Sequence, residues 1–461
     1  MYIKQLSLSS EQLANLYAQL QKNVGAIYLD SASSRHVNSN FSVFVWQPQF
    51  VIESDLSESK VYQNDQLLET SNEDPLTLIE QYLSKLEIKD ESALPFTELS
   101  CEDLPFNGGA IGYWDYELGG RFETLPTPKS SDINLPNMFV GLYQQGIVHD
   151  HKQDSLTFFS ANDNAEDIYR QLTSLVDLES ELSEFRLNSS WQSNMSQSEY
   201  ADKFNCVKEY LLAGDCYQIN LAQRFSANYQ GDEWQAYQAL RQQNSAPFSS
   251  FIRLKQGAVL SVSPERFLQV IDNNVETKPI KGTRPRSSDL EQDKALAIEL
   301  QNAEKDRAEN VMIVDLLRND LSKVAVAGSV QVPSLFDIES FPAVHHLVST
   351  VVAKIRAPFT SLDLLRGAFP GGSITGAPKI RAMQIIHELE PHPRSVYCGA
   401  IGYIKPNGDM DTNITIRTLV CNQNKIHCWA GGGLVADSKC EDEYQETLDK
   451  VNKILPVLTA L

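Results

Sequence analysis

Cysteine is scarce and scattered in this chain. Seven of 461 residues are Cys (Cys101, Cys206, Cys216, Cys398, Cys421, Cys428 and Cys440), an odd number with no C-x-x-C pair. That pattern argues against a disulfide framework and fits reduced thiols in a cytoplasmic protein. Cys and His do not cluster at metal-ligand spacing. No apolar run reaches the roughly 18 residues of a membrane span, and no signal-type apolar run follows Met1-Tyr2-Ile3-Lys4-Gln5, so no secretion signal is expected. Basic residues are also in short supply, 39 Lys and Arg against 60 Asp and Glu, for a net charge of -21. Nucleic acid is thereby disfavoured as a partner, because phosphate-backbone binding needs clustered cations. An anionic small molecule would need a locally positive pocket, made by a metal ion or a few placed Arg and Lys. The sequence has no G-x-x-x-x-G-K-[ST] loop, no G-x-G-x-x-G opening a helix after a strand, and no G-x-S-x-G elbow, so neither a nucleotide nor a serine hydrolase is indicated.

What is present is a hydrophobic fraction of 42%, enough for a sizeable core. Residues 1–185 alternate short apolar runs with polar turns, as in Ala26 to Leu29, Phe41 to Trp46, Ala110 to Tyr113 and Phe139 to Tyr143, and are expected to be strand-rich. The polar, Ser-rich, acidic stretch 177–198 is a linker candidate, or else a polar helix. In the second region, 195–461, Tyr200, Phe204, Val207 and Leu211 recur at helical spacing. Strands fit 217–221, 258–262, 266–271, 396–404, 413–421 and 426–430. One long helix is expected from the cap Ser287-Ser288-Asp289 to about Leu321, and another from Cys440 to Leu458. Long helices among strands that rarely alternate with them imply an α+β fold with antiparallel sheets.

Glu309 lies on the same face as Met312, Ile313 and Leu316 of a helix that reads as apolar nearly all round. A carboxylate there must be paired, with Arg318 or Lys305, or must hold a cation. Glu443, Glu446 and Lys450 share a narrow arc opposite the stripe of the C-terminal helix; the plain reading is a solvated face with an i,i+4 pair. The run Lys278-Pro279-Ile280-Lys281-Gly282-Thr283-Arg284-Pro285-Arg286 holds four cations on a stiff segment. It is either a basic surface loop or an anion-facing one with Lys281 as nucleophile or charge clamp. Three glycine clusters, Gly371-Gly372-Ser373, Gly376-Ala377-Pro378-Lys379 and Gly431-Gly432-Gly433, could turn backbone N–H groups toward a carboxylate.

Seven stretches, in order and at similar spacing, resemble the chorismate-utilising enzymes. They are Tyr217-Gln218-Ile219-Asn220-Leu221, Ser263-Pro264-Glu265-Arg266-Phe267, Pro279-Ile280-Lys281-Gly282-Thr283, Met312-Ile313-Val314-Asp315-Leu316, Arg318-Asn319-Asp320-Leu321, Gly376-Ala377-Pro378-Lys379 and Glu443-Tyr444-Gln445-Glu446-Thr447. Pro105-Phe106-Asn107-Gly108-Gly109-Ala110-Ile111-Gly112 looks like the N-terminal region of the aminating members. The resemblance implies one α+β body of two large antiparallel β-sheets packed together with surrounding helices, as in anthranilate synthase component I, with both chain halves contributing strands.

The resemblance also implies roles. Glu309 and Glu446 match the carboxylates that hold Mg²⁺, with Glu443 as a further or water-mediated ligand. Tyr397 and Arg417 match groups that grip the enolpyruvyl carboxylate, near the amides of Gly431, Gly432 and Gly433. Thr283, His346, Ser373 and Lys450 match other positions lining the site. Gln218 stands where water-adding members carry a Lys. Lys281 stands where members that aminate C2 and eliminate pyruvate have a small residue, and is characteristic of members that aminate C4. The expected catalytic pair is therefore Lys281, as nucleophile at C2, and Glu265, as general acid and base. The expected product is 4-amino-4-deoxychorismate, on the way to para-aminobenzoate and folate; the alternative is the C2-aminating, tryptophan-directed reaction. No cysteine sits in a glutaminase elbow, so ammonia is expected from a separate glutamine amidotransferase subunit in a heterodimer.

Overall fold

The computed structural model describes residues 1–31, 39–88, 104–340 and 344–461. The apolar runs of the N-terminal half become strands, among them Ile27–Asp30, Phe41–Val45, Gly109–Trp114 and Met138–Tyr143. In Phe41–Val45, Val43 and Val45 enter one core and Phe44 another, as the period-two alternation of a strand buried on both faces requires.

Among the described residues the strands form a 13-stranded and a 12-stranded sheet, paired antiparallel throughout their long ladders. The first runs from Tyr2–Leu6 through Ile27–Asp30, Phe248–Leu254, Gly257–Ser263, Thr418–Asn422 and Lys425–Leu434 to Gln218–Gln230 and Arg186–Leu187. The second runs from Ile280–Pro285 through Val344–Lys354, Arg266–Ile271, Met410–Ile414, Ala400–Ile404 and Gly109–Trp114 to Gln66–Ser71. Each sheet joins N-terminal to C-terminal strands by one ladder, Ile27–Asp30 on Phe248–Leu254 and Gly109–Trp114 on Ala400–Ile404. One continuous core takes Leu221 and Val259 from the first sheet and Ile111 and Ile401 from the second. A second core, with Tyr28, Phe44, Phe251 and Leu260, lies under the helices Ser10–Leu20 and Glu233–Asn244. This is the α+β architecture of two large antiparallel sheets that the sequence implies.

Several boundaries differ from the sequence expectation. The polar stretch 177–198 is partly stranded, since Arg186–Leu187 and Gln192–Ser193 pair with Gln218–Gln230. The long helix after Asp289 is two helices, Leu290–Asn302 and Glu304–Ser322, broken at Ala303, which is extended at φ -66, ψ 108. The break lets both helices pack against the strand Ile280–Pro285. Glu304–Ser322 is buried along one face only, with Val311 exposed. The C-terminal helix stops at Val451, and Pro456 sits in the first turn of the next helix, Leu455–Thr459, where its missing N–H is tolerated. Cys206, Cys216, Cys398, Cys421, Cys428 and Cys440 are free thiols; Cys101 lies outside the described residues. No described helix is long and apolar enough to cross a membrane.

Candidate active site

Two of the places where the chain crosses between the sheets are neighbours, and both deliver side chains to one cavity. Pro264 and Glu265 link Gly257–Ser263 of the first sheet to Arg266–Ile271 of the second; Thr415 to Arg417 link Met410–Ile414 back to Thr418–Asn422. The crossings are stitched together. Ile414 N donates to Glu265 O at 3.0 Å, Ser263 Oγ to Ile414 O at 2.6 Å, and Val262 N to Arg417 O at 3.1 Å. Arg417 is left-handed at φ 51, which interrupts what the sequence presents as a single strand over 413–421. In the same way the strand expected from Val396 begins only at Ala400; the preceding turn, with Cys398 at φ 65, stacks Tyr397 on Trp429 at 6.1 Å.

The cavity measures about 610 Å³, within the usual size for a small-molecule site. Glu265, Lys281, Thr283, Glu309, His346, Ser373, Tyr397, Arg417, Gly431, Gly433, Glu443, Glu446 and Lys450 all line it. Gly432 does not, yet a Cβ there would stand 3.1 Å from Glu443 Oε2 and 3.5 Å from Glu446 Oε1. The glycine triplet is not a loop; it lies inside the strand Lys425–Leu434, where missing side chains leave room for the carboxylates above it.

Of the four cations of the 278–286 run, three are neutralised. Lys278 pairs with Glu339 at 3.4 Å, Arg284 with Glu299 at 3.0 Å, and Arg286 with Asp293 at 2.8 Å. Lys281 makes no ion pair among the described residues; its Nζ reaches Ser373 O at 3.4 Å, and Ser373 Oγ donates to Glu265 Oε1 at 3.5 Å. Burial pushes the Glu265 carboxyl up to about 7, against the opposing pull of the Lys281 charge. Thr283 and His346 are paired across the strands Ile280–Pro285 and Val344–Lys354, with Oγ1 to Nδ1 at 2.9 Å.

In the same cavity three carboxylates meet two ammonium groups. Lys305 Nζ lies 3.5 Å from Glu443 Oε1 and 4.0 Å from Glu309 Oε1, while Arg318 turns to Asp315. Burial raises the Glu309 carboxyl, opposed by Lys281 and Lys305. Burial acts the same way on Glu446, but there Lys450, at 2.6 Å, with Lys305 and Lys281, holds the carboxyl below its ordinary value. Lys450 also donates to Gly431 O at 2.8 Å. Glu443 accepts from Ser438 Oγ at 2.6 Å.

The other glycine clusters serve packing. A Cβ on Gly372 would strike Leu316 at 2.2 Å, and one on Gly376 would strike Gln218 O at 2.1 Å. Lys379 is buried on Asp320 at 2.7 Å, away from the cavity. Sequence reasoning gave no role to Asn220, Asp306, Trp429 or Asp449, which also line the wall. For Asn220 a signal existed: Gln218 and Asn220 are polar residues two apart on a strand otherwise fit for burial.

Residues 26–456 match the family model described as chorismate binding enzyme. The chain is 49% identical over 443 residues to aminodeoxychorismate synthase component 1 of Escherichia coli K12, covering 96% of this chain and 95% of that protein. It is 35% identical over 467 residues to anthranilate synthase component 1 of Lactococcus lactis, covering 99% of each. The crystal structure of anthranilate synthase component I from Streptococcus pneumoniae superposes with a TM-score of 0.78 at 31% identity, over 91% of this chain and 93% of that one.

Proposed function

Because the chain belongs to the chorismate binding enzymes, we propose that it aminates chorismate at C4, giving 4-amino-4-deoxychorismate for para-aminobenzoate and folate synthesis. The carrying observation is the pairing of Lys281, without an ion pair among the described residues, with a buried Glu265, bridged by Ser373, in a cavity that also holds three carboxylates. The higher identity to the C4-aminating relative than to the anthranilate synthase supports the same choice.

Glu309, Glu443 and Glu446 offer hard oxygen donors beside a glycine that leaves them space. Among the described residues no group of three or more His, Cys, Asp or Glu converges tightly enough to chelate an ion by itself. That donor set fits Mg²⁺, which keeps several waters and takes only one or two carboxylates from the protein. Glu309 and Glu446 would hold it, Glu443 through water, and bound Mg²⁺ would anchor the ring carboxylate and withdraw electron density.

Arg417, without an ion pair among the described residues, and Tyr397 would bind the enolpyruvyl carboxylate, with Gly431 and Gly433 alongside. Thr283, His346 and Lys450 would line the ring. Lys281 Nζ attacks C2 as the C4–O bond breaks, and Glu265, protonated, delivers its proton to the departing hydroxyl. Ammonia then bonds to C4, the C2–N bond breaks with its electrons returning to Lys281, and the Glu265 carboxylate takes the surplus proton. The enolpyruvyl group is untouched. Component naming among relatives supports a separate glutamine amidotransferase subunit as ammonia source in a heterodimer, and the free thiols support a cytoplasmic setting.

The test mixes the purified chain with chorismate, MgCl₂ and ammonium at mildly alkaline pH and identifies products by mass. An aminated product that keeps the enolpyruvyl group is expected; anthranilate plus pyruvate would overturn the C4 assignment. Intact-protein mass spectrometry should trap an adduct that Lys281→Ala abolishes; near-normal turnover in that variant would sink the nucleophile role.

A further inference from the structure

Gln218 and Asn220 lie two apart on the strand Gln218–Gln230, so their side chains share one face. Gln218 is fully buried, and neither atom of its amide has a hydrogen-bond partner among the described residues. Asn220 is 7% exposed and lines the cavity, and its Oδ1 is buried and has no partner among the described residues. The neighbouring strand makes room for both. A Cβ on Gly433 would stand 2.3 Å from Gln218 Nε2, and one on Gly431 would stand 2.8 Å from Asn220 Oδ1. The backbone of Asn220 is fixed on both sides: its N donates to Thr375 O at 2.9 Å, and its O accepts from the buried Arg394 Nη2 at 2.8 Å. A rigid strand thus carries two neutral amides with unspent hydrogen-bonding capacity, Asn220 at the cavity wall and Gln218 sealed behind it. Unsatisfied buried amides are costly and uncommon, and ask for a ligand.

The amination reading supplies one of matching chemistry. Ammonia reacts through its lone pair, which protonation removes. A site for it must accept N–H without stabilising ammonium, so a neutral amide oxygen serves where a carboxylate would not. Half a turn about χ2 lets an Asn present its oxygen or its nitrogen to the same point. We infer that Asn220, with Gln218 behind it, is the ammonia-receiving site of this cavity. Its Oδ1 accepts one N–H and leaves the lone pair for C4. The N–C4 bond then forms, the Lys281–C2 bond breaks onto the Lys281 nitrogen, and the released proton goes to Glu265. This rests on the amination reading.

The experiment measures initial rates with ammonium chloride as the sole nitrogen source, for the full chain, Asn220→Ala and Asn220→Leu. Each variant's folding is checked by its Tm. The KM for ammonia should rise roughly tenfold, as loss of one hydrogen bond to a substrate allows, while the KM for chorismate stays within about twofold. A merely structural role would move Tm or both KM values together. Asn220→Asp should keep apparent affinity for ammonium yet lose kcat, because the carboxylate favours the protonated form. An unchanged KM for ammonia in Asn220→Ala and Asn220→Leu, with normal wild-type turnover, would overturn this inference alone. Failure of the wild type to form any aminated product would overturn the amination reading and the inference with it.

Discussion

Gly432 lies so close to the Glu443 carboxylate that a Cβ added there would stand 3.1 Å from Oε2. The glycine is needed for space beside two carboxylates, and not for an unusual backbone conformation, since its φ is not among the positive ones. Gly432→Ala should therefore fold, push Glu443 and Glu446 apart, and raise the magnesium concentration for half-maximal turnover by roughly tenfold, the scale of a mild overpacking cost. A magnesium titration of chorismate consumption checks this; an unchanged midpoint would dissociate Gly432 from the metal site.

Lys305 occupies the space between Glu309 and Glu443 at 4.0 and 3.5 Å. Its ammonium competes with a divalent cation for those oxygens. Lys305→Met should lower the half-saturating magnesium concentration by roughly two- to fivefold, the range of a partly exposed ion pair. The same titration reads it, and a rise in the midpoint would mean that Lys305 assists the cation.

Glu265 is a buried carboxyl raised from 4.5 to about 7. A raised carboxyl holds its proton more tightly folded than unfolded, so its burial costs nothing extra below pH 4.5, where both states are protonated. The cost grows between pH 4.5 and about 7 and is constant above. Glu265→Gln should match the wild type in stability near pH 4 and exceed it at pH 8 by about 3 kcal/mol, at 1.36 kcal/mol per unit. Denaturant unfolding at the two pH values measures the difference; an equal gap at both would show that Glu265 does not titrate in this range.

Arg394 is 1% exposed, bonds Glu390 at 2.6 Å, and holds the carbonyls of Ile374 and Asn220 behind the cavity. Arg394→Ala leaves the buried Glu390 carboxylate without its counter-ion, held by the Ala222 N–H, and should cost roughly 3–5 kcal/mol. Replacing both partners, as Arg394→Met with Glu390→Gln, should cost less than the single change. Equilibrium unfolding of the three proteins decides this, and a double variant less stable than the single one would show that the pair is not the source of the cost.

Local sequence carried much of the fold. Period-two runs such as Phe41 to Trp46 became strands because their alternation suits burial on two faces. Gly214 ended the helix Gln197–Ala213 in a left-handed cap, as its lack of a side chain permits. The pattern could not reveal the break at Ala303 or the crossing at Arg417, because both are imposed by distant partners. Glu304–Ser322 packs on Ile280–Pro285, and Thr418–Asn422 pairs with Gly257–Ser263.

Glu446 and Lys450 show how the two levels divide. By itself the sequence determined that they form an i,i+4 pair on the polar arc of a helix, since helical spacing fixes neighbours along one element. It also carried the ordered motifs by which the family is recognised. Only the tertiary structure decided that this half-exposed arc borders the cavity, with Lys450 bonded to Gly431 O, that Lys281 reaches Ser373 while its cationic neighbours are neutralised, and that the Asn220 Oδ1 is left without a hydrogen-bond partner among the described residues. Those facts depend on which strands cross between sheets and at what register. Register is set by pairing energies summed over long ladders between distant segments, and no local window of the chain contains both sides of such a ladder.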